Sequence, residues 1–235
     1  MAAKNTASRL TIGFRMMDTK ELCKKYGIGL TGGVGCGKST IAKILRDKGY
    51  ITIDADTLSR QIMAPKGPGL ALTVDAFGAS MLNEDGTLNR DTLGAMVFSD
   101  ETARKKLETI THPLIETALD EAVKNSGLLN NPKYWFYEAT LLYEKNREQD
   151  FRQIWSVHCP EEVQLQRLLN RSTKAKGFWE QVISSQLPSL VKAERADVVI
   201  DTNCPTDRLL AKVDEALTKL PGLSGIMKIQ AKTFI

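Results

Sequence analysis

Residues Gly32-Gly33-Val34-Gly35-Cys36-Gly37-Lys38-Ser39, followed by Thr40, carry the spacing G-x-x-x-x-G-K-[ST]. The chemistry of that spacing is phosphate binding. The backbone must turn tightly and press its N–H groups against phosphate oxygens, where a side chain would intrude, so glycines at 33, 35 and 37 are required. Lys38 then reaches the β- and γ-phosphates, and Ser39 offers its hydroxyl to Mg²⁺ at a helix start whose dipole favours an anion. A nucleoside triphosphate with Mg²⁺ is the expected ligand. Cys36 reads as a small residue tolerated in the tight loop, with an oxidation-sensitive thiol as the alternative.

Two further groups of residues suit phosphoryl transfer. Asp54-Ala55-Asp56 leaves the end of a short apolar run, where α/β proteins place their sites. A carboxylate near a γ-phosphate can accept the proton of an attacking alcohol. The alternative is that the two acids cap the next helix. Arg60, one turn beyond Asp56, would bind an acceptor phosphate or pair with Asp56. Arg167 and Arg171 share a helix face and would close over phosphates as a lid, a solvated basic face being the plainer reading.

These residues need a frame of alternating strands and helices. Tyr26–Leu30 reads as a buried strand, and Ser39–Lys48 as an amphipathic helix stopped by Gly49. Tyr50–Ile53 reads as a second strand. Residues 57–63 look helical before Pro65, and no strand signal follows until Lys133–Tyr137. Between them, Leu70, Val74 and Phe77, then Asn89 capping Leu93, Met96 and Val97, then Leu107 to Val123 mark helices, with Pro113 as a break or kink. Ile154–His158 and Asp197–Ile200 read as later strands, with helices opening at Pro160 and Pro205 and a further one over 178–186. The expected fold is therefore α/β: a P-loop parallel sheet core flanked by helices, with right-handed crossovers, an inserted helical subdomain over about 65–127 and a helical lid over about 165–190. The kinase-like domain spans 26–220, between an extension over 1–25 and a peripheral tail over 221–235.

Composition narrows the function. With 42% apolar and 26% charged residues and no apolar stretch of bilayer length, no membrane partner is expected. The net charge of +4 is dispersed and the 6% of aromatic residues are scattered, so there is no basic stripe for nucleic acid. No Asn-Lys-x-Asp guanine signature is present, which speaks against a GTP switch. Cys23, Cys36, Cys159 and Cys204 form no C-x-x-C pair or zinc spacing, which suits a reducing cytoplasm. The acid-free stretch before Asp18, with Lys4, Arg9 and Arg15, resembles a weak transit peptide, or else is a disordered or over-extended start. A monomer or weak homo-oligomer is expected.

Taken together, Leu30 to Thr40, Asp54-Ala55-Asp56 with Arg60, Leu88-Asn89-Arg90 running to Val97-Phe98, and His112-Pro113-Leu114-Ile115 resemble the dephospho-coenzyme A kinases. The match continues through Leu141-Leu142-Tyr143-Glu144, Arg167 with Arg171, Gln186 with Lys192, and Ala196 to Asp201, so it covers nearly all of Ile28 to Leu217. The resemblance implies a kinase of the nucleoside monophosphate kinase type. It would move the γ-phosphoryl group of ATP to the ribose 3′-hydroxyl of dephospho-coenzyme A, a small-molecule acceptor. It further implies Asp56 as general base, with Arg60 beside the acceptor and Asp54 supporting the base or the metal. Arg90 and His112 fall in the subdomain it assigns to acceptor binding, His112 being equally readable as a packing residue. Glu138 stands at the family's aspartate position and would hold Mg²⁺ through water. Thr140 replaces a usual proline, Ser172 a common aspartate, and Thr202 and Cys204 the frequent asparagine and glycine. None of these changes removes a proposed chemical group.

Overall fold

In the stretch Gly27-Ile28-Gly29-Leu30-Thr31-Gly32 every residue is buried, and that is the constraint of a central strand in a covered sheet. The computed structural model describes residues 17–221, so the basic stretch of residues 1–16 and most of the expected tail lie outside it. Five strands form one parallel sheet in the order β2-β3-β1-β4-β5. They are β1 (Gly27–Gly32), β2 (Thr52–Asp54), β3 (Trp135–Glu138), β4 (Gln153–His158) and β5 (Val198–Asp201). Parallel neighbours need crossover connections, and helices supply them.

Helix α1 (Thr19–Tyr26) precedes β1, α2 (Lys38–Asp47) follows it, and α3 (Ala55–Ile62) leaves β2. Three further helices, α4 (Pro68–Phe77), α5 (Arg90–Ser99) and α6 (Glu101–Asn125), lie in the interval before β3. After β4 come α7 (Glu161–Arg171), α8 (Lys176–Ser184) and α9 (Ser189–Glu194), and α10 (Thr206–Thr218) closes the described chain. Successive side chains of a strand face opposite sides of the sheet. Accordingly Phe136 packs with Ile41, Leu45, Val213 and Leu217 on one face, whereas Trp135 and Tyr137 pack with Leu22, Leu119 and Val123 on the other. A third cluster, built on Ile62, Met63, Leu70, Met81, Leu88 and Leu93, gives the insertion its own core.

The differences from expectation are local. Thr19–Tyr26, which runs from the expected extension into the first residue of the expected strand, is a helix capped by Asp18, and it buries Leu22 and Cys23 against the sheet. Its eight residues hold too few apolar positions to reveal a period. Helix α6 is unbroken at Pro113, although proline forfeits an i→i−4 bond. Leu107, Leu114 and Ile115 before and after it pack on the insertion core, and Leu119 and Val123 on the sheet, so the helix is held at both ends. Strand β2 ends at Asp54, which caps α3, so Asp56 is a helical residue. Among the described residues no helix is long and apolar enough to cross a membrane.

Gly32, at the end of β1, has φ of 145°, and a Cβ there would lie 2.2 Å from the Val157 carbonyl oxygen. No side-chain motion relieves a clash with backbone. Gly32→Ala is therefore expected to lose about 2–3 kcal/mol of folding stability, read from a denaturant midpoint; an unchanged midpoint would contradict this packing.

Candidate active site

The phosphate loop joins β1 to α2, and its shape is imposed from outside. Gly37, the N-cap of α2, has φ of 90° and contributes no side-chain cap, which leaves the helix N-terminus open to an anion. Gly35 has φ of 79°, and a Cβ there would meet the Gln164 carbonyl oxygen at 2.8 Å. Val34 N–H donates to Gln186 Oε1 at 3.0 Å, and Thr202 Oγ1 donates to the Cys36 carbonyl at 2.7 Å. Cys36 itself is wholly buried, with its sulfur 3.2 Å from Ser189 Oγ. Hydrogen bonds to Cys159 and Ser189, together with the Lys38 charge, pull its thiol pKa down against the opposing effect of burial. Lys38 is buried and donates to the carbonyls of Gly32 at 3.1 Å and Gly33 at 3.3 Å. Burial lowers its pKa, and the charges of Cys36, Glu138 and Asp56 oppose that shift. Ser39 and Thr40 lie exposed on the first turn of α2.

The carboxylates stand at the ends of the neighbouring strands. The parallel register sets Glu138 beside both Leu30 of β1 and Asp54 of β2. Asp54 is committed to capping, since Oδ1 accepts from Asp56 N–H and Oδ2 from Thr57 Oγ1, each at 2.9 Å. Arg60 donates to the Asp56 carbonyl at 3.2 Å and lies 3.8 Å from Asp54 Oδ2. It therefore pairs with the Asp54 side chain and with Asp56 only through the backbone. The Asp56 carboxylate accepts no hydrogen bond among the described residues, and it faces a cavity of about 470 Å³. Although Asp56 is exposed at the cavity edge, the protein packed around it and the Asp54 charge push its pKa up, while Lys38 and Arg60 oppose them. The same two causes raise Glu138.

The cavity runs between α3, α6 and the loop after β3. His112 lines it, as do Tyr137, Thr140, Lys145 and Arg147. Lys145 is ion-paired with Glu108 of α6, while Arg147 pairs with Asp150 at 2.9 Å and lies over the Tyr137 ring. Sequence reasoning missed these two cations, although both lie within three residues of the stretch Leu141 to Glu144. Arg90 is exposed at the start of α5 and is not among the lining residues.

Arg167 is anchored: its guanidinium donates to Thr202 Oγ1 at 3.0 Å and to the Thr202 carbonyl at 2.7 Å. The structure thus ties it to the β5 loop and, through Thr202, to Cys36. Arg171, the last residue of α7, is exposed. Thr202, treated from sequence as a departure from a pattern, is a central fastening of the phosphate loop, and nothing in its local sequence signals that. Ser39 and Glu138 are hard oxygen donors that suit Mg²⁺, which is held by one or two protein oxygens together with substrate phosphates.

The sequence pattern described as dephospho-CoA kinase matches residues 26–207. The chain belongs to the dephospho-CoA kinase family. A dephospho-CoA kinase of Shouchella clausii is 39% identical over 194 residues, covering 82% of this chain and 97% of the relative. Another from Anaeromyxobacter dehalogenans is 39% identical over 84% of this chain and 93% of its own length. Among solved structures, TT1252 from Thermus thermophilus superposes with a TM-score of 0.72 at 31% identity, covering 84% of this chain and 98% of that one. The dephospho-CoA kinase of Campylobacter jejuni shares the fold at a TM-score of 0.59 and 24% identity, covering 83% and 96%. The P-loop kinase architecture expected from the sequence is the one observed.

Burial and the Asp54 charge give Glu138 an electrostatic cost in the folded chain. The folded chain binds the Glu138 proton more tightly than the unfolded chain, whose carboxyl titrates near 4.5. The destabilisation is therefore absent below that value and grows as pH rises through the elevated folded-state pKa. Without nucleotide or metal, Glu138→Gln is expected to be more stable than the parent at about pH 7, with the gap closing towards about pH 4. Equal denaturation midpoints at both ends of that range would contradict the assignment.

Proposed function

We propose that this chain transfers the γ-phosphoryl group of ATP to the ribose 3′-hydroxyl of dephospho-coenzyme A, giving coenzyme A and ADP. The single observation that carries the residue roles is the place of Asp56. Its carboxylate borders the cavity and also lies within the field of Lys38 at the phosphate loop. One acid thus serves both substrates.

In this reading the loop Gly33 to Thr40 cradles the triphosphate, and Lys38 leaves its carbonyl partners for the β- and γ-phosphates. The acceptor ribose enters the cavity with its 3′-hydroxyl against Asp56, and His112, Lys145 and Arg147 supply donors and positive charge for the anionic acceptor. Arg90, at the rim of the insertion, meets the outer part of the acceptor. As the bond from the 3′-oxygen to phosphorus forms, the bond to the ADP oxygen breaks and the hydroxyl proton passes to Asp56. A raised pKa suits that task, because a base poised nearer the working pH holds a transferred proton more readily. Asp54 holds Asp56 in place through the helix cap, and Arg60 stands over both. Arg167 stabilises charge from the loop side, and Arg171 reaches the phosphates when α7 and α8 close. Ser39, and Glu138 through water, would hold Mg²⁺, which when bound neutralises charge on the phosphates. We place the enzyme in the cytoplasm as a monomer or weak homo-oligomer, without nucleic-acid or membrane partners.

Turnover with ATP and a panel of acceptors, read by mass spectrometry, tests the reading. Dephospho-coenzyme A should gain one phosphoryl group, and turnover of a nucleoside monophosphate in its place would sink the assignment. Asp56→Asn is expected to lose about 10²–10⁴-fold in turnover with ATP affinity largely kept, whereas Lys38→Ala should lose phosphate handling as well. The base must be ionised to act, so the acid limb of kcat/KM should lie above the ordinary aspartate value of 3.8. Near-normal turnover of Asp56→Asn would remove Asp56 from the mechanism.

A further inference from the structure

Lys192 of α9 is wholly buried, and the reaction as described makes no use of it. Its ammonium donates to the Thr140 carbonyl at 2.7 Å and pairs with Glu144 Oε1, also at 2.7 Å. The same Glu144 oxygen accepts from Leu187 N–H at 2.9 Å. The Thr140 carbonyl takes a second bond, at 3.3 Å, from the hydroxyl of Thr31, the residue just ahead of Gly32. Next to Leu187, the Gln186 side chain holds Val34 of the phosphate loop at 3.0 Å.

These contacts form a closed path. It leaves the phosphate loop at Val34 and passes through Gln186, Leu187, Glu144 and Lys192 to Thr140 on the cavity wall. Thr31 then returns it to the root of the loop. A buried ion pair is poor evidence of a device for stability, because a well-packed apolar pair often does as well or better. Here Glu144 Oε2 is buried with no hydrogen-bond partner among the described residues, which makes the pair costlier still. What a lysine offers at this point, and an apolar residue does not, is a directed charged donor on one carbonyl of the cavity wall.

We propose that Lys192, oriented by Glu144, is a positioning residue that sets the spacing between the phosphate loop and the acceptor wall at Thr140. A displacement of about 1 Å between reacting groups is enough to cost about a hundredfold in rate, so such a strut would act on turnover more than on either binding step. The inference rests on reading the cavity as the acceptor site.

The test uses the full chain with ATP, dephospho-coenzyme A and a non-hydrolysable ATP analogue. The double variant Lys192→Met/Glu144→Gln removes both charges and leaves neither buried alone. It should keep the analogue Kd within about twofold and lose at least about tenfold in kcat at saturating substrates. A kcat within about twofold of the parent would overturn the proposal, as would a kcat loss accompanied by an equal loss of analogue affinity, which marks a general structural role. Thr31→Val, isosteric and free of charge effects, covers the case in which the double variant does not fold. It should lower kcat by about threefold or more at unchanged analogue affinity, and an unchanged kcat would overturn the proposal. Lys145→Ala separates the two readings. An unchanged KM for dephospho-coenzyme A in that variant removes the cavity from the acceptor's path, whereas a raised KM alongside an unaffected strut variant removes only the strut.

Discussion

The phosphate loop depends on being held from outside. A glycine-rich turn loses more conformational freedom on ordering than any other kind of segment, and it has almost no side chains with which to anchor itself. Here distant elements do the anchoring. Thr202 after β5 takes the Cys36 carbonyl, Gln186 takes the Val34 amide, and Gln164 of α7 stands against Gly35. The parallel sheet brings these ends together: β1 lies between β3 and β4, so the loop leaving it is flanked by what leaves its neighbours. The buried aromatic and branched residues of both faces fix that order, and the loop inherits its rigidity from them.

The same geometry concentrates charge. Parallel strands all end on one side, and register sets Glu138 and Asp54 on adjacent strand ends, with Asp56 two residues further on. Lys38 is buried in their midst. Burial and the Asp54 charge make Asp56 and Glu138 harder to ionise, while the lysine opposes that effect on both. An arrangement costly to the resting fold is what phosphoryl transfer needs, because preorganised charge does not have to be assembled during the reaction.

Much of this was legible in the sequence where a local rule has one solution. Gly33, Gly35, Gly37 and Lys38 declare a phosphate loop because no other common motif needs that spacing between a strand and a helix. Asn89 and Asp54 announce helix starts because their side chains satisfy free N–H groups, and both do so. What stayed hidden depends on contacts between residues remote in sequence. Thr202 and Gln186 owe their importance to the loop they meet more than 150 residues away in sequence. Lys145 and Arg147 look like ordinary surface cations until α6 forms the opposite wall. Arg167 read as a free lid residue since helical spacing reveals a shared face but not the partner that occupies it. Helices α1 and α9 are too short for periodicity to register.

In the proposed reaction one carboxylate, that of Asp56, stands between donor and acceptor. The most direct measurement is a crystal structure of the chain with a non-hydrolysable ATP analogue and dephospho-coenzyme A bound together. The ribose 3′-oxygen is expected within hydrogen-bond reach of Asp56, about 2.6–3.2 Å, and facing the γ-phosphate held by Lys38. An acceptor bound outside the cavity, or a 3′-oxygen out of reach of Asp56 with the γ-phosphate in place, would contradict it.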